Sequence, residues 1–253
     1  MKSLIIIPAR YASTRFPGKP LAKIGDREVV LRVVEQAGKV TDAVYVATDD
    51  ERIEKAVVAG GGKAVMTSPD HRSGTDRCYE AYGKIAALTG ESYDVVVNVQ
   101  GDEPFIAPEQ IRVLISCFED PEVDIATLAK KFVEPMDIFD ENKVKVVKSV
   151  DGSAIYFSRN PIPFCRGVER KDWLQHADFY KHVGMYAYRP SVLEKITRLP
   201  QGMLEKAESL EQLRWLENGY RIAVRETFIE SIGIDTPADL EKAQAYFLEQ
   251  GNK

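Results

Sequence analysis

Apolar residues recur along this chain in two rhythms, and the first half alternates between them. Leu4–Ile7 is a continuous apolar run, too short for a free helix and suited to a buried parallel strand that Pro8 should end. From Arg27 to Lys39 the apolar positions 29, 30, 33, 34 and 37 follow a helical period. Ala43–Thr48 predicts a second strand closed by Asp49-Asp50. Glu51–Ala59 predicts a short helix ended by three glycines, and Lys63–Thr67 a third strand. The polar run Ser68–Arg77 predicts a loop, with Thr75 or Asp76 placed to cap a helix through Tyr79, Tyr82 and Ile85. Tyr93–Val99 is the most strand-like run, and Pro108 opens a helix to Phe118. This β-α-β-α-β alternation argues for a parallel sheet with crossover helices.

The rhythm changes near residue 124. Asp124–Lys130, Lys143–Ser149 and Ala154–Ser158 read as strands with little helix between them, and Val150-Asp151-Gly152 as a hairpin turn. Arg159-Asn160-Pro161-Ile162-Pro163 leaves the sheet abruptly. Residues 164–180 show no period and form an excursion. In the alternating run His182–Tyr188, His182, Gly184, Tyr186 and Tyr188 share one face, so His182 and Tyr186 can meet one ligand. Pro190–Arg198 and Glu205–Asn218 predict helices, the second placing Glu208 and Glu211 away from its leucines. Arg221–Glu226 and Phe228–Ile232 predict strands. Thr236-Pro237 is a helix start, which leaves Asp235 at a strand end.

Composition narrows the function. A 253-residue chain that is 44% hydrophobic can bury a sizeable core as one domain, 1–253, with a smaller β-rich lobe at about 124–190. Its net charge of −5 argues against nucleic-acid binding. Cys78, Cys117 and Cys165 are too scattered for a disulfide frame or a zinc site. The N-terminal apolar run is too short for a signal peptide, and no stretch spans a membrane; we expect a cytoplasmic protein.

The candidate chemistry gathers at predicted strand ends. Arg10, Arg15 and Lys19 place three cations on the loop after the first strand, with Ser13 and Thr14 between them and Gly18 beside Lys19. Ligands of open α/β sheets bind at this edge, so the loop suits a polyanion; the alternative is a solvated basic loop. It is not a Walker loop, since Gly18-Lys19 is followed by Pro20. The N–H groups of Ser73, Gly74 and Thr75 suit a phosphate or a base edge. His71 reads by itself as a surface or capping residue. Asp102 follows the central strand and either caps a turn or, opposite the cations, binds a metal such as Mg²⁺.

The order of IIPARYASTRFPGKPL, ATDD, DHRSGTDR, NVQGDEP, YFSRNPIP, HVGMYAY, LEQLRWLENG and IDTPADL resembles the 3-deoxy-manno-octulosonate (Kdo) cytidylyltransferases over nearly the whole chain. Residues 164–179 match least. The resemblance implies a nucleotide-diphosphosugar-transferase-like α/β fold, with a mostly parallel central sheet and helices on both faces. It implies conversion of CTP and Kdo to CMP-Kdo and diphosphate for lipopolysaccharide biosynthesis, with Mg²⁺ as cofactor and a homodimeric enzyme. Carried over residue by residue, Arg10, Lys19, Asp102 and Asp235 become the catalytic set, with Asp102 and Asp235 on the metal. Ala9, Arg10, Arg15, Lys19, Ser73, Gly74, Thr75, Arg77 and Gly101 become the nucleotide site. Gln100, Arg159, His182, Tyr186 and Glu211 become the sugar site.

Overall fold

The computed structural model describes residues 1–12, 15–230 and 232–251. Ser13 and Thr14 of the cationic loop lie outside them. In chain order the first elements are β1 (Ser3–Ala9), β2 (Lys23–Ile24), β3 (Arg27–Glu28), α1 (Val29–Gly38), β4 (Val44–Thr48), α2 (Glu51–Ala59), β5 (Ala64–Met66), α3 (Gly74–Thr89), β6 (Val95–Asn98) and α4 (Pro108–Ser116). The later ones are β7 (Ile125–Lys131), β8 (Lys145–Lys148), β9 (Ala154–Ser158), α5 (Trp173–His176), β10 (Tyr180–Tyr188), α6 (Pro190–Thr197), α7 (Met203–Glu208), α8 (Gln212–Glu217), β11 (Ile222–Glu226) and α9 (Pro237–Gly251). They form two compact units, Met1–Arg112 with Ser231–Lys253, and Val113–Glu230. The lobe expected at about 124–190 falls inside the second.

In the first unit β6, β1, β4 and β5 lie side by side, every pair parallel. Leu4 to Ile7 and Val95 to Val97 are fully buried, as continuous apolar strands require. Pro8 does not end β1. The strand runs on to Ala9, with Pro8 opposite Ala47. Ile5 turns its N–H toward β4, donating to Ala43 O at 2.9 Å. Alternation therefore points the missing N–H of Pro8 to the other side, where register with β6 has already stopped at Ile6. The proline breaks no ladder bond. Residues 27–28, expected in the first helix, pair with β2 in a small ribbon instead.

The C-terminal helix returns to this unit. Ile234 and Ala243 are buried with Ile24 and Val29, and Leu240, Phe247 and Phe105 pack against them. Full burial of a side chain such as Ile234 is worth about 1.5–3 kcal/mol, which fixes where the following residue, Asp235, emerges. Asp239 Oδ2 accepts the Thr236 N–H at 3.0 Å and Oγ1 at 2.8 Å, and Thr236 Oγ1 caps the Asp239 N–H at 3.3 Å. This reciprocal cap leaves the Asp235 carboxylate out of the helix start.

In the second unit β11 pairs parallel with β7, and β7–β10, β10–β8 and β8–β9 are antiparallel. The excursion at 164–180 is built around its aromatics: Trp173 and Phe179 are buried with Phe132 and Ile138. Two expectations fail here. Phe228 to Ile232 forms no strand among its described residues, and Phe228 is 87% exposed. The helix expected over 205–218 is two helices, broken at Ser209 in the left-handed region (φ 53°). The break is tied internally by a buried bidentate pair, Arg214 to Glu205 at 2.8 and 2.7 Å.

Candidate active site

At the carboxyl ends of β1 and β6 lies a cavity of about 230 Å³, lined by Pro8, Ala9, Arg10, Ala12, Lys19, Pro20, Gly74, Gln100, Gly101 and Asp102. Its shape depends on close backbone approach. A Cβ on Gly101 would stand 2.8 Å from the carbonyl oxygen of Pro8, so a larger residue there would push β1 and the β6 loop apart. Gly18 turns the cationic loop at φ 73° and donates its N–H to Tyr11 O at 2.9 Å. The Arg52 guanidinium stacks 3.3 Å from the Tyr11 ring centroid, while Asp50 holds Arg52 at 2.9 and 2.7 Å.

The acidic side of the cavity converges on one ammonium. Lys19 Nζ reaches Asp102 Oδ2 at 2.6 Å and Asp235 Oδ1 at 3.4 Å. The two carboxylates thus lie no farther apart than those bonds laid end to end, about 6 Å. A backbone bond from Ile234 N to Asp102 O, 2.9 Å, fastens the two chain segments beside them. Arg15 adds an exposed bond to Asp235 at 3.0 Å. The side chain of Lys19 is 12% exposed against 52% for Asp235, so the lysine is the inner member.

Arg10 lines another part of the cavity wall. Burial pushes the Arg10 guanidinium below its usual pKa, and the like charge of Arg77 pushes the same way; Asp49 and Asp76 oppose both. Arg10 donates to the carbonyl of His71. A guanidinium whose charged form is disfavoured by burial and a like charge gains from an arriving anion. Arg77 itself needs a correction. Its guanidinium is completely buried, 3.0 Å from Asp49 and bonded to Thr67, so it stands behind the cavity and touches no ligand there. Ser73, not Thr75 or Asp76, caps α3, its Oγ accepting the Asp76 N–H at 3.1 Å. Gly74 lines the cavity and Thr75 is buried.

His71 is bound more firmly than a surface histidine. Its Nε2 meets Glu80, which also accepts the Ser68 N–H at 2.9 Å and pairs with Lys84 at 2.7 Å. Burial alone would raise the Glu80 pKa, but the bonds from Lys84, Ser68 and His71 outweigh it and bring it to about 2.

The sugar-side candidates other than Gln100 belong to the second unit. His182 and Tyr186 do meet, ring centroids 5.3 Å apart, although β10 bulges between Val183 and Tyr186. Thr127 fills the bulge, its hydroxyl 2.8 Å from Met185 O and 3.0 Å from His182 Nε2. Burial pushes the His182 pKa down to about 3, so the ring is neutral at physiological pH. Burial, then the charge of Glu211, pushes the Tyr186 phenol far up; its Oη lies near Thr127 without a well-formed hydrogen bond. Arg159 is held by backbone carbonyls. Asp49, Thr127 and Glu208 are the working partners that sequence reasoning missed, because period and spacing give no sign of which group a polar side chain will meet.

No group of three or more His, Cys, Asp or Glu among the described residues is arranged to hold a metal. Asp102 and Asp235 nevertheless fit Mg²⁺, which commonly takes one or two carboxylates and leaves its remaining positions to phosphate and water.

A parallel sheet whose carboxyl edge carries arginines, a buried lysine and paired carboxylates over one cavity defines a nucleotide-binding α/β transferase. The sequence pattern of the cytidylyltransferase family matches residues 4–230. The 3-deoxy-manno-octulosonate cytidylyltransferase of Bacteroides thetaiotaomicron is 59% identical over 249 residues, covering 97% of this chain and 98% of that protein. That of Porphyromonas gingivalis is 53% identical over 251 residues, 98% and 97% of the two chains. A solved CMP:2-keto-3-deoxy-manno-octonic acid synthetase complexed with CTP superposes with a TM-score of 0.90 at 42% identity, over 99% of this chain and 100% of that one. A cytidylyltransferase from Leptospira borgpetersenii shares the fold at 19% identity and a TM-score of 0.60, over 98% of this chain and 87% of that one. The chain belongs to the 3-deoxy-manno-octulosonate cytidylyltransferases.

Proposed function

We propose that this chain transfers a cytidylyl group from CTP to Kdo, giving CMP-Kdo and diphosphate for lipopolysaccharide assembly in the cytoplasm. The observation that carries this reading is the cavity at the end of β1, where Arg10, Lys19 and Asp102 meet in a chain with full-length kinship to enzymes of that name.

In this mechanism Arg10 and Lys19 hold the triphosphate, with the start of α3 at Ser73–Thr75 offering N–H groups. The anomeric hydroxyl of Kdo attacks the α-phosphorus. Its oxygen–phosphorus bond forms as the bond to diphosphate breaks, and the hydroxyl proton is lost to water. Such transfers rest on positioning and on offsetting phosphate charge. Asp102 and Asp235 would hold Mg²⁺, whose contribution when bound is to draw charge from the phosphate oxygens. Lys19, whose Nζ lies 2.6 Å from Asp102 Oδ2, offers its charge to the triphosphate. Arg159 takes the Kdo carboxylate with its planar fork, and His182 and Tyr186 supply the neutral wall of the sugar site.

A homodimer belongs to the same reading. Its support is the family resemblance and the exposed apolar side chains of the second unit, among them Val133, Met136, Val150 and Phe164. Sedimentation velocity tests it: a monomer at micromolar concentration rejects it.

The deciding experiment is diphosphate release from CTP and Mg²⁺ with Kdo, an amino-substituted Kdo and sialic acid as acceptors. Release is expected with Kdo and not with sialic acid. No release with Kdo rejects the proposal, and faster release with the amino sugar reassigns the acceptor.

A further inference from the structure

The region around Ser209 has a conformation that its sequence does not need. Among the described residues Ser209 is the non-glycine residue with positive φ, and it interrupts a run of helix-forming side chains. An unusual backbone conformation is a reason to look for function. What the break does is turn two successive carbonyls toward one guanidinium. Arg159 Nε donates to Glu208 O at 2.7 Å and Nη2 to Ser209 O at 3.4 Å, while Nη1 donates to Glu141 O at 3.1 Å.

Glu208 grips the same residue a second time. Its carboxylate Oε2 accepts the Arg159 backbone N–H at 2.9 Å, and Oε1 accepts the Ser158 hydroxyl at 2.6 Å. Ser158 Oγ in turn accepts the Asn160 N–H at 3.0 Å. Both the backbone and the side chain of Arg159 are therefore fixed by one glutamate, at the point where the chain leaves β9.

The charge arrangement matters more than the number of bonds. A guanidinium has five N–H donors, and three of them go to neutral carbonyls. One N–H remains on each terminal nitrogen, and a carboxylate can take guanidinium N–H groups two at a time. Among the described residues no carboxylate forms an ion pair with this guanidinium. The Glu208 carboxylate is spent on the backbone and on Ser158. Arg159 is thus oriented without being neutralised, which is what a receptor for an acidic sugar requires.

We propose that Glu208, through the left-handed break at Ser209, is a positioning residue that holds Arg159 ready for the substrate carboxylate. This rests on the reading of Arg159 as the acid-sugar receptor.

The test is steady-state kinetics in Kdo and CTP, with thermal unfolding, for Arg159→Ala, Glu208→Ala, Glu208→Gln, Ser209→Gly, Ser209→Val and the double variant Arg159→Ala/Glu208→Ala. Glu208→Ala should raise the Kdo KM by about tenfold or more and leave the CTP KM within about twofold. Glu208→Gln keeps the backbone carbonyl and an acceptor for the Arg159 N–H, so it should recover most of the loss. Ser209→Gly adopts the same turn and should behave as the parent, whereas the β-branched Ser209→Val should resemble Glu208→Ala. In the Arg159→Ala background, Glu208→Ala should change the Kdo KM no further. A purely structural glutamate would lower Tm without separating the two Michaelis constants. An unchanged Kdo KM in folded Glu208→Ala, beside a raised one in Arg159→Ala, overturns the positioning role alone. A full additional effect in the double variant overturns it too. An unchanged Kdo KM in Arg159→Ala removes the receptor reading and the proposal with it.

Discussion

The two units handle charge in opposite ways. Around the first unit's cavity, Lys19, Arg15, Asp102 and Asp235 neutralise one another through direct ion pairs of 2.6 to 3.4 Å, two of them more than half exposed. In the second unit two candidate rings stay neutral beside the charged Glu211: the half-buried His182 is deprotonated and the buried Tyr186 phenol is held protonated. Where charge stands, at Arg159, backbone carbonyls orient it. Counterions that can be exchanged suit a ligand as highly charged as a nucleoside triphosphate. A neutral wall with one oriented cation suits a sugar carrying one carboxylate. The first arrangement depends on electrostatics and the second on fit, and each predicts a different kind of failure.

The largest effect should come from the carboxylate pair. Asparagine keeps the shape of aspartate and removes its charge, so Asp102→Asn should lower turnover by about 10²–10³. Asp235→Asn should act similarly, and the double variant should be little worse than the worse single, because groups working as a unit are not additive. All three should fold, since the helix cap belongs to Asp239. Full Mg²⁺-dependent activity in Asp235→Asn would break the comparison at its first term.

Lys19 provides the next test. It is the internal counterion of the carboxylates and, in the proposed mechanism, a phosphate ligand. Lys19→Met should weaken CTP by roughly 10–100-fold, the value of a charge-assisted bond of about 1.5–3 kcal/mol. The same substitution should tighten binding of Mn²⁺ alone, because the carboxylates lose their resident cation. Calorimetric titration of Mn²⁺ without CTP reads this directly. Weaker or unchanged Mn²⁺ binding would show that the lysine does not compete for the pair.

Much of the first unit was legible because its signals are local. The buried runs 4–7 and 95–97 are continuous, and a helix period separates them. Asp102 was legible as a strand-end carboxylate, since the sheet topology sends such ends to one edge, whereas the strand expected before Asp235 does not form among the described residues, and Asp235 reaches Lys19 from the segment ahead of α9. The second unit yielded less. Nothing in Glu205–Asn218, expected as one helix, marks Ser209 as a break, and the residue its carbonyl meets, Arg159, lies 50 positions away. The excursion at 164–180 hid a small aromatic core because Trp173 and Phe179 pack from irregular backbone, which has no period to detect. Arg77 shows the same limit in the first unit: sequence gives a cation near the site but not that it faces Asp49.

Acid sensitivity should separate the two strategies further. His182 has a pKa of about 3 when folded and 6.5 as an ordinary histidine. Between those values the unfolded chain binds a proton that the folded chain does not, so stability falls as pH falls, by up to about 1.4 kcal/mol per pH unit. Glu80 in the first unit acts in the same direction over a lower window, from 4.5 to about 2. Urea midpoints between pH 7 and 4.5 should therefore decline less steeply in His182→Asn than in the parent. Equal slopes in that window would mean that the ring is accessible to protons in the folded chain.

The smallest effect is expected at Tyr186, and its sign is informative. The phenol oxygen is buried without a well-formed hydrogen bond. Leaving a buried polar atom unsatisfied costs stability, and removing the atom removes the cost. Tyr186→Phe should therefore leave Tm unchanged or raise it slightly, the reverse of most core substitutions. If the hydroxyl is kept for the sugar, the same variant should raise the Kdo KM by roughly two- to tenfold, the worth of one neutral hydrogen bond of about 0.5–1.5 kcal/mol. Turnover at saturating Kdo and the KM for CTP should not move. Stability and sugar affinity would then change in opposite directions from the loss of a single oxygen, as expected of a neutral site that is incomplete until its ligand arrives. A fall in Tm together with an unchanged Kdo KM would instead make Tyr186 an ordinary core tyrosine.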